Sequence, residues 1–509
     1  MPSYLSPGVY VEEVSSGSKP IAGVGTAVCA FVGFAEKGPA NAPTLVTNWT
    51  QFTQNFGDFI EGAYLAHAVY GYFLNGGGTC YVVRVGADGD GAIPTAKAEL
   101  PAREQGKQSY RIVAAEAGPA GDAISVEIGD ASEPGEGGDQ FKITVNRGGK
   151  AEEVFDNVTT KKGPNNLQTV VKARSKLIKV EEVGTGGALI PATGRFTLTG
   201  GSQAAQVSVN ADDYVGNSAD RTGFAGLEAV DEVTMLSVPD LMSAYQKGII
   251  DMEGLKAVQL AMIAHCELMG DRVAILDAPP GLNAQQVKEW RVEGAGYDSK
   301  YASLYWPWVK VFDPSQGKAV FIPPSGHVGG VWARNDDTRG VHKAPANEVI
   351  RGAITLELNI TKGEHDQLNP NGINCIRAFP GRGIRIWGAR TLSSDPEWRY
   401  LNVRRLFNYI EESILEGTQW TVFEPNDWRL WDAIRRNVSL FLRATWRSGA
   451  LFGETSDQAY FVKCDAENNP IEVRDAGQLV VEIGVCPVKP AEFVIFRIAQ
   501  WSGGADVSE

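Results

Sequence analysis

The segment RVAILDAPPG ends an apolar run in Asp277, the arrangement by which a strand presents a carboxylate to a nucleotide-bound magnesium ion. That chemistry also needs a G-x-x-x-x-G-K-[ST] loop to cradle phosphates. The sequence has none, so Asp277 reads as the polar end of a core strand. Residues 23–28 (GVGTAV) and 381–388 (GRGIRIWG) carry part of a dinucleotide pattern, each without its third glycine, and read as turns. Residues 86–91 (GADGDG) look like a calcium loop, but a third oxygen ligand and the distant Glu are not at EF-hand spacing, so the stretch reads as a domain junction. His67, His265, His327, His342 and His365 form no H-x-x-x-H pair, and no G-x-S-x-G nucleophile elbow occurs. The sequence therefore predicts no catalytic, cofactor or metal site, and an α/β enzyme working near Asp277 is kept as the alternative.

Charge is distributed unevenly. Residues 374–450 hold twelve Arg, no Lys and eight Asp or Glu, a net positive segment in a chain of formal charge -14. On a helix, Arg436, Arg443 and Arg447 are spaced to lie near one side, with Arg435 beside them. They make either an ordinary solvated face or a docking surface for an acidic protein partner. The overall acidity, with a pI near 5.1, argues against nucleic-acid binding.

These residues need elements to hold them, and 509 residues are too many for one core. Continuous apolar runs (TAVCAFVG, CYVVRVG, VTMLSV, RVAILD, YASLYWPWVKVF) alternate with helical stretches, which predicts an α/β fold. Residues 88–201 break that texture with short alternating runs, frequent glycine, no tryptophan and one helix at 166–175, so a β-rich module is expected inside a discontinuous domain (21–87 and 202–360). A C-terminal domain (361–488) should pack two helices against a small sheet. In the first helix Asp395 is a plausible N-cap, Pro396 fits the first turn and Gly417 the stop, with a stripe of Val403, Phe407, Ile410 and Ile414. In the second, Trp431, Ile434, Val438, Phe441 and Thr445 recur likewise. The six cysteines are scattered and read as buried thiols of a reducing compartment. With no signal-like start and no uncharged apolar run of 18 or more, cytoplasmic synthesis is expected.

Both ends carry β-prone runs, SPGVYVEEV at 6–14 and EFVIFRI before the C-terminus, beside further expected strands at 458–465 and 479–485. With these residues in view, the chain resembles contractile tail sheath proteins, the family of contractile phage tails, R-type pyocins and related injection particles. WRYLNVRRLFNYIEESI, WTVFEPND, TWRSGALFG, AYFVKCD and VEIGVCPVKPAEFVIFRI follow one another in the family's order, and YLSPGVYVEE and VAILDAP are also sheath-like.

The resemblance implies that terminal arms (1–20 and 489–509) leave the subunit and add strands to neighbours' C-terminal sheets. Val9, Tyr10, Val11 and Glu12 would form one donated strand, and Phe493, Val494, Ile495, Phe496, Arg497 and Ile498 the other. The receiving sheet would hold Tyr460, Phe461, Val462, Val480, Val481 and Ile483. It further implies a homo-oligomeric, six-fold helical sheath on an inner tube, with baseplate and tail terminator proteins as partners and without nucleic acid or membrane insertion. In such a sheath Arg436, Arg443 and Arg447 become candidates for docking the tube. The implied function is a structural, non-enzymatic subunit whose sheath contracts to drive the tube through a target envelope, in a tail or tail-like particle that can leave the cell. A non-contractile polymer is a second alternative.

Overall fold

A computed structural model describes residues 20–85, 95–104, 107–115, 119–133, 139–183, 189–201 and 209–498. The expected strand at 6–14 and the GADGDG stretch lie outside them. The apolar runs form a nine-stranded sheet in the order Glu348–Val349, Gly383–Ile386, Ile373–Phe379, Ala302–Trp306, Val273–Asp277, Met235–Ser237, Val28–Gly33, Thr79–Arg84 and Thr44–Val46. Its six inner strands from Ile373–Phe379 to Thr79–Arg84 run parallel, with antiparallel strands at the edges. Parallel strands connected by helices are buried on both faces, which is why these segments read as unbroken apolar runs.

On one face lie the Leu65–Asn75 and Ser325–Arg339 helices, and on the other Met252–Met269 with its shorter neighbours. The first pair touches almost backbone to backbone. A Cβ on Gly326 would fall 2.3 Å from the Ala68 Cα, and one on Gly330 2.4 Å from the Tyr72 oxygen.

Residues 96–198 have a core of their own. There a four-stranded antiparallel sheet (Gly194–Thr197, Ile124–Asp130, Gln140–Arg147, Lys150–Thr159) accompanies a three-stranded one (Lys97–Pro101, Gln108–Ala114, Ile178–Glu182) and the Leu167–Arg174 helix. Residues 361–390, grouped by composition with the last domain, supply the strands Ile373–Phe379 and Gly383–Ile386 to the central sheet.

The first C-terminal helix spans Leu401–Thr418, later than expected. Asp395 caps a turn instead, accepting from the Glu397 amide at 2.9 Å, and an antiparallel bridge between Arg390 and Tyr400 holds Tyr400 extended immediately before the helix. Gly417 does not stop the helix. It lets Ile21 lie against it, because a Cβ there would be 2.7 Å from the Ile21 side chain. The second helix, Trp428–Arg447, is capped by Asp427; its five-residue stripe is buried, and Trp431, Ile434, Val438 and Phe441 cluster with Leu406, Ile410 and Ile21. The cysteines are free; five are buried and Cys486 is exposed.

Candidate functional site

The positive segment divides into paired and unpaired arginines. Arg405 is buried, holds Asp336 of the Ser325–Arg339 helix through two bonds of 3.0 and 2.5 Å, and donates to the Thr26 carbonyl. Arg404, also buried, bonds Asn408 and Glu411 and lies over the Trp398 and Tyr301 rings. These two tie the first C-terminal helix to the α/β body. Arg435 turns aside to Asp432 and the Cys464 carbonyl.

Arg436, Arg443 and Arg447 are exposed, and among the described residues no carboxylate lies within ion-pair distance of them. At 100° per residue, Arg429 and Leu440 fall on the same face, so the row runs about 27 Å along the helix at 1.5 Å per residue. Helical spacing in the sequence already puts Arg429 in phase with Arg447, so this signal was legible before the fold.

The C-terminal segment is strapped to the body and then released. Phe452 donates to the Cys486 carbonyl, Val488 donates to that of Ala450, and the Asn402 amide donates to the Val488 carbonyl. The strap ends in a clamp. The Glu492 carboxylate accepts from Asn369 Nδ2 (2.7 Å), Arg390 Nε (2.9 Å), Arg390 Nη2 (2.7 Å) and the Tyr400 hydroxyl (3.0 Å). Burial alone would raise its pKa, but the bonds from Arg390 and Asn369 and the Arg390 charge hold it below the usual carboxylate value. Arg390 is itself locked to Asn374 and Ser303 through its backbone, so the clamp reaches two central strands.

Beyond Glu492 the body makes no ladder with the chain. Phe493, Val494, Ile495, Phe496, Arg497 and Ile498 are exposed and form no strand, contrary to their β-prone sequence. A strand needs a partner for its backbone groups, and none of the described segments pairs with this one.

Nearby, Tyr460–Lys463 and Glu482–Val485 pair antiparallel as a two-stranded ribbon, placing Val462 opposite Ile483 and Phe461 opposite Gly484. Tyr460, Phe461, Val462 and Ile483 thus sit in it. Val480 and Val481 precede it, because the Asn469 side chain occupies both backbone groups of Val480 and starts the strand later than expected. A ribbon of two strands is marginal alone and offers open edges.

The apparent chemistry elsewhere has structural explanations. Asp277 accepts from the Ser325 amide at 2.9 Å and hydroxyl at 2.5 Å, holding the start of the Ser325–Arg339 helix; burial pushes its carboxyl up to about 7 against those bonds. Residues 381–388 make a hairpin turn into the strand Gly383–Ile386. Residues 23–28 are not a turn; they run extended along the first C-terminal helix, where the Val24 amide donates to Ser413. A cavity of about 320 Å³ beside them is lined by Asp231, Glu232, Asp271, Glu412 and Glu416, away from Asp277. Among the described residues no cluster of metal-ligating side chains occurs, and no helix is long and apolar enough to cross a membrane.

Residues 228–392 match the family described as phage tail sheath protein central domain, and residues 393–500 the phage tail sheath C-terminal domain. The chain is 25% identical to the tail sheath protein of Burkholderia phage BcepMu over 96% of its own length and 95% of that protein. It is 24% identical to the sheath protein of Vibrio phage KVP40 over 73% of its own length, but spans only 56% of that relative, and 48% of the sheath protein of Enterobacteria phage T4. Its fold resembles the contracted helical sheath of the anti-feeding prophage (TM-score 0.59, 23% identity, 98% of this chain and 100% of the other). It also resembles the contracted PVC sheath of an extracellular contractile injection system (TM-score 0.58, 22% identity, 99% of both chains).

Proposed function

The chain belongs to the phage tail sheath family and is a structural sheath subunit, and from that premise we propose how it assembles and works. Subunits polymerise as a six-fold helix around an inner tube, joined by strand exchange, between a baseplate and a terminator. The observation that carries this reading is the release of an apolar segment at Glu492, a few residues after an open-edged ribbon in the same domain. Phe493 to Ile498 exposes more large apolar side chains than a free subunit keeps in water without purpose, and adding them to a neighbour's ribbon would satisfy both. Residues 9–12 of the N-terminal arm donate in the same way. The described anchoring supports a C-terminal arm that begins at Phe493, with 489–492 as its mount.

Identical subunits linked head to tail give a helix, and a helix tied by exchanged strands can shorten while its domains move as rigid bodies. The buried Arg405–Asp336 pair, with Arg404 stacked on the Tyr301 ring, supports such rigidity between the first C-terminal helix and the α/β body. Shortening from an extended to a wider packing drives the tube outward, and the stored difference between packings replaces any catalysed reaction. The module at 96–198 decorates the outside, and the unpaired arginine face docks the tube.

Truncation after Glu492 tests the arm. The truncated protein should melt at the same temperature as the full chain and fail to polymerise. Polymers of normal appearance from it would remove the C-terminal arm from the mechanism.

A further inference from the structure

Phe423 joins two features that a stable subunit rarely leaves together. Its side chain is fully exposed (102%), and its φ of 66° lies in the left-handed region that bulky L-residues avoid.

The loop that carries it is fixed, not slack. On one flank Val422 donates to the Gln419 carbonyl and Glu424 to that of Thr421. On the other, Asn426 donates to the Gln478 carbonyl and accepts from the Trp431 indole, while Asp427 caps the helix. Residues 422–425 are thereby held out from the body. Val422, next to Phe423, and Trp428, which begins the following helix, are also exposed, and the Arg429 guanidinium sits 5.3 Å from the Trp428 ring. An apolar knob therefore continues directly into the unpaired arginine face.

We propose that Phe423 is the anchor of that face, inserted into an apolar socket rimmed by carboxylates on the surface the face docks. The inference rests on the reading of the arginine face as tube-docking and deepens it by naming the chemistry of the tube's receiving site. An aromatic side chain already held in its bound position loses little freedom on docking, and such anchors dominate interface energetics. Backbone strain sustained by its surroundings collects at functional sites, and the left-handed Phe423 is such a position. The rim is acidic because Arg429 and Arg436 stand behind the knob with no carboxylate of their own.

Phe423→Ala and Phe423→Gly test this with inner tubes assembled from the particle's own tube protein. Both should raise the subunit concentration needed for half-coating by at least about tenfold, the loss expected for an anchor residue. Self-association without tubes, followed by sedimentation velocity, should stay unchanged. Phe423→Gly should melt no lower than the wild type, because glycine takes a φ of 66° without strain. Coating at the wild-type concentration by both variants would overturn the anchor. So would a loss of tube-free self-association, which would assign Phe423 to a contact between copies of this chain. Arg436→Glu, Arg443→Glu and Arg447→Glu together test the parent reading separately. If that triple variant fails to coat while the Phe423 variants coat normally, only the anchor falls; if the triple variant coats normally, the docking face falls with it.

Discussion

Replacing Glu492 with alanine should loosen the C-terminal strap without unfolding the body. The substitution removes a carboxylate that takes four hydrogen bonds and leaves the Arg390 guanidinium, with a side chain 9% exposed, without its counter-charge. Breaking a buried pair costs about 3–5 kcal/mol. Here Glu492 is 19% exposed and Arg390 keeps a 3.2 Å bond to the Asn369 carbonyl, so the low end, about 3 kcal/mol, applies. If that loss is local, the strap opens roughly a hundredfold more often.

Hydrogen exchange reads this directly at the Phe452 and Val488 amides, whose acceptors lie across the strap, with the Val273–Asp277 strand as an internal reference. Because the folded pKa of Glu492 is depressed, its contribution is complete above the unfolded carboxylate value and is lost as pH falls through the folded one. The protection difference between the wild type and Glu492→Ala should therefore narrow in acid. Equal exchange at neutral pH in the two proteins would refute the clamp.

Other consequences follow from the central domain. His327 is buried, unbonded at Nδ1, and lowered to about 4 by burial and then by the neighbouring His67. The unfolded chain takes up that proton first, so His327 should cost about 3 kcal/mol of stability as pH falls from about 6.5 to 4. Asp277, raised from 3.8 to about 7, works oppositely across that whole range. The informative measurement is thus the difference in chemical denaturation between the wild type and His327→Gln across pH, which should narrow in acid; a difference independent of pH would contradict the assignment. Gly326→Ala should destabilise the chain by about 3 kcal/mol or more, since its Cβ must displace backbone at Ala68, and an unchanged melting temperature would show that the two helices can separate freely.

The sequence disclosed most of what rests on local pattern. Unbroken apolar runs marked the parallel strands, and the change of texture after residue 87 marked the β-rich module. The stripe from Trp431 to Thr445 gave the buried face of the second helix, and hence its exposed arginines. Long-range pairing was not legible. Glu492 meets Arg390 across 102 residues, and nothing in AEF announces a clamp. Arg405 likewise meets Asp336 across 69 residues, a partner that only tertiary packing reveals.

Asp395 and Gly417 carried sound cap and stop signals, and a bridge at Tyr400 and the approach of Ile21 overrode them. Phe423 was invisible for another reason. A lone aromatic in a loop has no period, and its left-handed backbone follows from the closure of the turn and not from its residue type.

The central claim is that this chain builds a sheath, and electron microscopy of the full-length protein, alone and with inner tubes, tests it most directly. Hollow, ribbed cylinders of constant diameter, or tubes evenly coated by subunits, are the predicted result. Monodisperse single particles under both conditions would contradict it.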